Sequence, residues 1–189
     1  MPAKHSTVSV VGGLIGRGNA IQKTCLFGVC ETERILYRRL TAFSRGRTLE
    51  AVEGICAGDG IERGEILDLL SQLVDKSLVT LEIGVDGAPR YTLLESMWDY
   101  CRAKLEASGE LTVVRDRHAA FFARLALEAA AGLEGPDAEL WMLQIEADYS
   151  NLRRAMERSR ERPECAETAA QIEAFRKRFE KLREQRQSG

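Results

Sequence analysis

The stretch from Gly64 to Glu95 reads GEILDLLSQLVDKSLVTLEIGVDGAPRYTLLE, and it decides the fold. Ile66, Leu67, Leu69, Leu70, Leu73 and Val74 recur at helical spacing and predict a helix buried over much of its girth. After Lys76-Ser77 the period changes from 3.6 to 2. Leu78, Thr80 and Glu82 alternate with Val79, Leu81 and Ile83, Gly84-Val85-Asp86-Gly87 turns the chain, and Tyr91–Leu94 returns. A helix feeding a two-stranded ribbon, with two short helices upstream, is the element order of a winged helix-turn-helix. We therefore expect a mainly α protein: a winged helix-turn-helix with a two-stranded wing, followed by an antiparallel, tetratricopeptide-like helical region.

Upstream, ERILYRRLTAF (33–43) places Ile35, Leu36, Leu40 and Phe43 on one side, with Arg34, Arg38 and Arg39 opposite. Ser44–Arg47 breaks that helix, Thr48 is a candidate N-cap, and LEAVEGIC follows as a short helix stopped at Ala57–Gly60. Downstream, helices are predicted over Ser96–Ala107, Leu111–Leu133 and Asp137–Arg160, with Trp98 and Trp141 expected in the helical core. The domains read as a flexible extension over 1–30, the winged unit over 31–94, a repeat-like helical region over 95–162 and a charged helix over 163–189.

That last helix carries Ile172, Phe175, Phe179 and Leu182 as a narrow apolar seam, with six Lys or Arg against two Glu between Arg176 and Arg186. We expect a solvated terminal helix; a weak coiled-coil dimerisation arm is the alternative.

Composition bounds the function. With 189 residues, 44% hydrophobic and 30% charged, the chain has the balance of a globular protein, and its net charge of −2 gives no global pull toward nucleic acid or an anionic membrane. No apolar run approaches the roughly 18 residues a membrane helix needs. Cys25, Cys30, Cys56, Cys101 and Cys165 are irregularly spaced and only His5 and His118 could join them, so idle thiols in a cytoplasmic protein are expected and no metal or other cofactor.

Three site classes present themselves. A recognition helix needs cations to neutralise phosphates. Here Glu62, Glu65, Asp68 and Asp75 stand against Arg63 and Lys76 alone, with Ser71 and Gln72 as neutral readers. Arg34, Arg38, Arg39, Arg45 and Arg47 form a basic cluster on the first helix and the loop after it, and with Arg63 and Lys76 they are the candidate DNA contacts. The acidic helix makes DNA the less favoured partner and a packing role the favoured one. Gly13–Ala20 has phosphate-loop spacing, but Asn19 and Ala20 replace its Lys and Ser/Thr, so nucleotide hydrolysis is the weakest class. For catalysis nothing converges: His118, in Arg115-Asp116-Arg117-His118, is read as a solvated helix-surface residue, and no enzyme is expected.

The blocks LVDKSL (73–78) and RYTLLE (90–95), with RRLTAF and TLEAVEGICAGDGI before them, resemble the winged-helix segment of bacterial signal-transducing (STAND) ATPase regulators of the LuxR and AfsR type. The resemblance runs from about Glu31 to Arg160 and takes in RHAAFFARLALEAAAGLEGPDAELWMLQIEADYSNLRRAM, similar to the linker and first repeat helices. It implies a winged helix that packs between an ATPase module and tetratricopeptide repeats and helps hold a resting state, with promoter DNA read elsewhere. It covers neither an ATPase module nor a terminal DNA-reading domain, and neither His5 nor His118 lies in the winged unit to contact a nucleotide. The expected role is thus a non-enzymatic regulatory fragment that binds a protein partner or the missing modules; the alternative is a small DNA-binding regulator.

Overall fold

The computed structural model describes residues 28–187. The elements below belong to the unit that begins at Glu31. They are α1 (Glu31–Arg39), α2 (Leu49–Cys56), α3 (Ile66–Asp75), the hairpin β1 (Val79–Ile83) and β2 (Pro89–Leu93), then α4 (Trp98–Ala107), α5 (Leu111–Gly132), α6 (Ala138–Arg160) and α7 (Ala166–Gln187). Of the extension expected over residues 1–30, residues 1–27 lie outside the described residues, as does the phosphate-loop spacing at Gly13–Ala20.

Local chemistry sets the boundaries. Thr48 caps α2, its hydroxyl oxygen accepting the Ala51 amide at 3.3 Å. The turn into α3 strings together Gly58, Asp59 and Gly60 at positive φ, two of them glycine because that region penalises a Cβ. Glu62 and Glu65 form a reciprocal capping box ahead of α3. At the other end Ser77 takes the left-handed conformation (φ 57°). The Ser77 amide donates to Val74 O, and that of Leu78 to Leu73 O, which closes the helix and aims the chain into β1.

The hairpin register pairs Val79 with Leu93, Leu81 with Tyr91 and Ile83 with Pro89, and Arg47 bridges Tyr91 from the far side of β2. The winged-unit core is built from Leu36, Leu40, Val52, Ile55, Ile66, Leu70 and Leu73, all with no exposed surface. Each buried aliphatic side chain of this kind contributes about 2 kcal/mol.

The three long helices α5, α6 and α7 pack up-down-up. Asp116, early in α5, meets Arg158 and Arg162 at the end of α6, and Arg186 at the end of α7 meets Glu139 at the start of α6. Ala126, Ala129 and Ala155 are buried and small, so the helix axes approach closely around Phe122, Ile145 and Leu152.

Two expectations are corrected here. The seam of α7 is not solvated: Ile172, Phe175 and Phe179 are buried within the same chain, because α5 and α6 leave an apolar groove that only this face can fill. The surface that would have served a dimerisation arm is thereby used internally. His118 is likewise buried, at 2% exposure, packed against Phe43 and Phe122 with ring centroids 5.5 and 4.6 Å away. Its neighbours along α5 are polar, but its helical position faces the winged unit. Trp98 and Trp141 are half-buried, at the rim of the core.

Candidate nucleic-acid and partner interface

In a winged helix the outward face of α3 and the wing are the surfaces that meet a partner. Ile66, Leu69, Leu70 and Leu73 turn inward. Glu62, Glu65, Leu67, Asp68, Ser71, Gln72 and Asp75 are exposed, and the Ser71 hydroxyl donates to Leu67 O rather than outward. The face is therefore carboxylate-rich with one exposed leucine, Leu67, at 46%. On the wing, Leu81, Ile83 and Val85 are exposed as well.

The seven candidate cations do not gather on this face. Arg39 is fully buried; its guanidinium donates to the carbonyls of Cys56 (2.7 Å), Gly58 (2.6 Å) and Asp59 (3.0 Å) and pairs with Glu110 at 2.6 Å. Arg47 is buried too, donating to Leu40 O and Arg45 O and lying over the Phe43 ring. Burial without a carboxylate lowers its pKa to about 10. These two arginines hold backbone carbonyls inside the fold and present no charge to a polyanion.

Arg38 meets Glu110 at 2.8 Å. Lys76 pairs with Glu33, which is buried, and Arg63 pairs with Glu53. Arg34, half-exposed, lies 3.9 Å from Glu31, and Arg45 is exposed in the loop before α2. Of the set, Arg34 and Arg45 keep the most outward charge.

Two carboxylates to which the sequence reading gave no role organise the site. Glu110 sits where α4 gives way to α5 and receives Arg38 and Arg39 together; burial works against its ionisation, but the two arginines outweigh it and hold its pKa at about 2. Asp148 on α6 receives both terminal nitrogens of Arg90, whose other partner is Asp86 in the wing turn. Burial opposes the Arg90 charge, yet the hydrogen bonds from Asp148 and Asp86 raise its pKa further. Their only sequence signal was a carboxylate placed far from its arginine along the chain, which spacing alone does not reveal.

The same seam is stitched by the backbone of the loop after α1. The Ser44 amide donates to Asn151 Oδ1 at 2.9 Å, and Arg154 donates to Phe43 O at 3.0 Å. Beside it lies an open cleft of about 690 Å³, lined by the wing, this loop, Trp98 and Ala147. Glu82, Glu95 and Asp99 line it together with Arg45, Arg47 and Arg90, so its formal charges balance. The Cys56 thiol is buried under α1 and pushed up to about 12 by that burial, a structural group rather than a nucleophile. Among the described residues no group of three His, Cys, Asp or Glu could hold a metal ion, and no helix is long and apolar enough to cross a membrane.

Residues 30–106 match the family described as the winged helix-turn-helix domain. These residues fold as a winged helix-turn-helix. Over 134 residues, 69% of its length, the chain is 40% identical to proteins named "Putative HTH-type transcriptional regulator" from Mycobacterium bovis and Mycobacterium tuberculosis. It spans only 14% of the length of those relatives. No solved structure matches. Within residues 30–106 fourteen Asp and Glu outnumber ten Lys and Arg, so any affinity for nucleic acid must come from geometry against an unfavourable field.

Proposed function

We propose that this winged helix serves a regulatory protein as a packing module rather than as its reader of DNA, in the manner of STAND-type regulators, without catalysis and in the cytoplasm. The observation that carries the reading is the disposition of charge. The α3 face exposes Glu62, Glu65, Asp68 and Asp75, while Arg38, Arg39, Arg63 and Lys76 are paired with carboxylates or carbonyls of the fold. Anchorage of the wing to α6 through Arg90 and Asp148 supports it, since a wing fixed to its neighbour suits relaying a domain position. On this reading the helices after the wing begin a tetratricopeptide-like region, and the partner is another module of the regulator or a separate protein.

Fluorescence anisotropy with a random duplex pool and a promoter pool, at low and moderate salt, tests the proposal. The expected result is no binding by the wild-type chain at low salt. Asp68→Lys/Asp75→Lys is expected to gain salt-dependent, sequence-independent binding, because it reverses the charge of the face. Wild-type binding with a preference for promoter sequence would overturn the packing reading.

The second reading, a DNA-binding regulator, is favoured by the domain family and by the relatives' names. Its phosphate contacts would be Arg34, on α1, and Arg45, in the loop before α2. It predicts binding that weakens on Arg34→Ala and Arg45→Ala and strengthens as salt is lowered.

A further inference from the structure

Tyr91 exchanges both of its backbone hydrogen bonds with Arg47, its amide donating to Arg47 O at 2.8 Å and its carbonyl accepting the Arg47 amide at 3.0 Å. Its polar groups therefore point away from β1. Leu81, directly opposite Tyr91, is then in a non-hydrogen-bonded pair, and its own amide and carbonyl point away from β2. The neighbouring pairs agree. Leu94 donates to Leu78 O and Gly84 to Ala88 O, so hydrogen-bonded pairs alternate through even-numbered β1 positions. Pro89, which has no amide proton, stands opposite Ile83 at a position that needs none.

The outer edge of β1 thus presents the backbone groups of Val79, Leu81 and Ile83 in one row. Among the described residues the sheet has two strands, and β1 pairs with β2 alone. Val79 is buried at the root of this edge, while beyond it Leu81 is exposed at 48% and Ile83 at 72%, with Val85 at 67% in the turn. Natural edge strands are usually blunted by charged side chains, proline or a bulge; VTLEI carries one charge, Glu82, on the face opposite Leu81 and Ile83.

We propose that this edge pairs with β1 of a second copy of the chain, antiparallel about a two-fold axis through Leu81. The sequence fits its own reverse in that register. Leu81 meets Leu81, and Val79 meets Ile83 on either side, which aligns the outward backbone groups as hydrogen-bonded pairs and keeps the exposed apolar side chains on one face. On the opposite face Glu82 meets Thr80, so no like charges stand across from each other. The result is a four-stranded sheet continuous through both copies, and the contact is independent of whether α3 meets DNA or protein.

Sedimentation equilibrium of the full chain without nucleic acid, from micromolar to near-millimolar concentration, tests the proposal. The wild-type apparent mass is expected to rise toward twice the monomer value, with the Leu81 amide exchanging more slowly as concentration increases. Leu81→Lys and Leu81→Glu each set like charges on the axis and are expected to remain monomeric, with unchanged circular dichroism; mixed together they are expected to associate. A wild-type chain that stays monomeric would overturn the proposal and leave the edge to a strand of another protein. Association undiminished in Leu81→Lys, or a charge-reversed mixture that stays monomeric, would overturn the register.

Discussion

Arg90, at the base of the wing, grips Asp148 on α6 with both terminal nitrogens, at 3.1 and 2.9 Å across 58 residues of sequence. Neither side chain is exposed by more than 7%. A buried charge held this way is costly to orphan. Asp148→Asn is therefore expected to lose about 3 kcal/mol of stability in urea titration, and faster exchange of the Arg47 and Tyr91 amides should show that the loss begins at the wing.

Glu110 ties α1 to the start of α5 through Arg38 and Arg39. Its carboxyl is one-fifth exposed, so Glu110→Gln is expected to cost less than a fully buried pair, about 2 kcal/mol. The pKa is depressed from 4.5 to about 2. The stability it contributes is thus complete above pH 4.5 and disappears as pH falls toward 2. Acid-unfolding curves of the variant should be flatter than wild type over that interval.

His118 titrates in a different window. Burial first, then the nearby Arg154 charge, lowers its pKa from 6.5 to about 3. The unfolded chain binds this proton before the folded chain does, so stability is full above pH 6.5 and falls below it, by up to about 1.4 kcal/mol per pH unit. His118→Leu should abolish the slope between pH 6.5 and 4.5, where Glu110 is still silent. Denaturant midpoints at several pH values measure it.

Ser77 occupies the left-handed position at the end of α3, where glycine carries no Cβ penalty. Ser77→Gly is expected to stabilise the protein by about 0.5 kcal/mol or slightly more. Its side chain is exposed, so little packing is lost in exchange. A lower thermal midpoint than wild type would contradict this.

Much of the winged unit was legible along the chain because its determinants are local. The change of period at Lys76-Ser77 marks the end of α3, Gly84–Gly87 makes the turn, and Thr48 caps α2 as its position suggests. The acidic character of the α3 face was legible as well, since helical spacing alone separates Leu69, Leu70 and Leu73 from Asp68, Gln72 and Asp75.

Arginine roles were not legible. Arg38 and Arg39 are adjacent in a run that reads as basic surface, yet Arg39 lies inside the fold, because carbonyls of the α2–α3 turn and Glu110 converge on it from 17 to 71 residues away. For His118 and the α7 seam the same holds: a polar neighbourhood in sequence says nothing about the apolar groove brought to it by other helices. The sequence by itself determined the order of the elements, the turns between them and the sign of the charge on α3, all set by neighbours within one or two helical turns. Only the tertiary structure decided which charges face water and which are neutralised inside, because the carboxylates and carbonyls that satisfy a buried guanidinium come from distant segments that folding alone assembles.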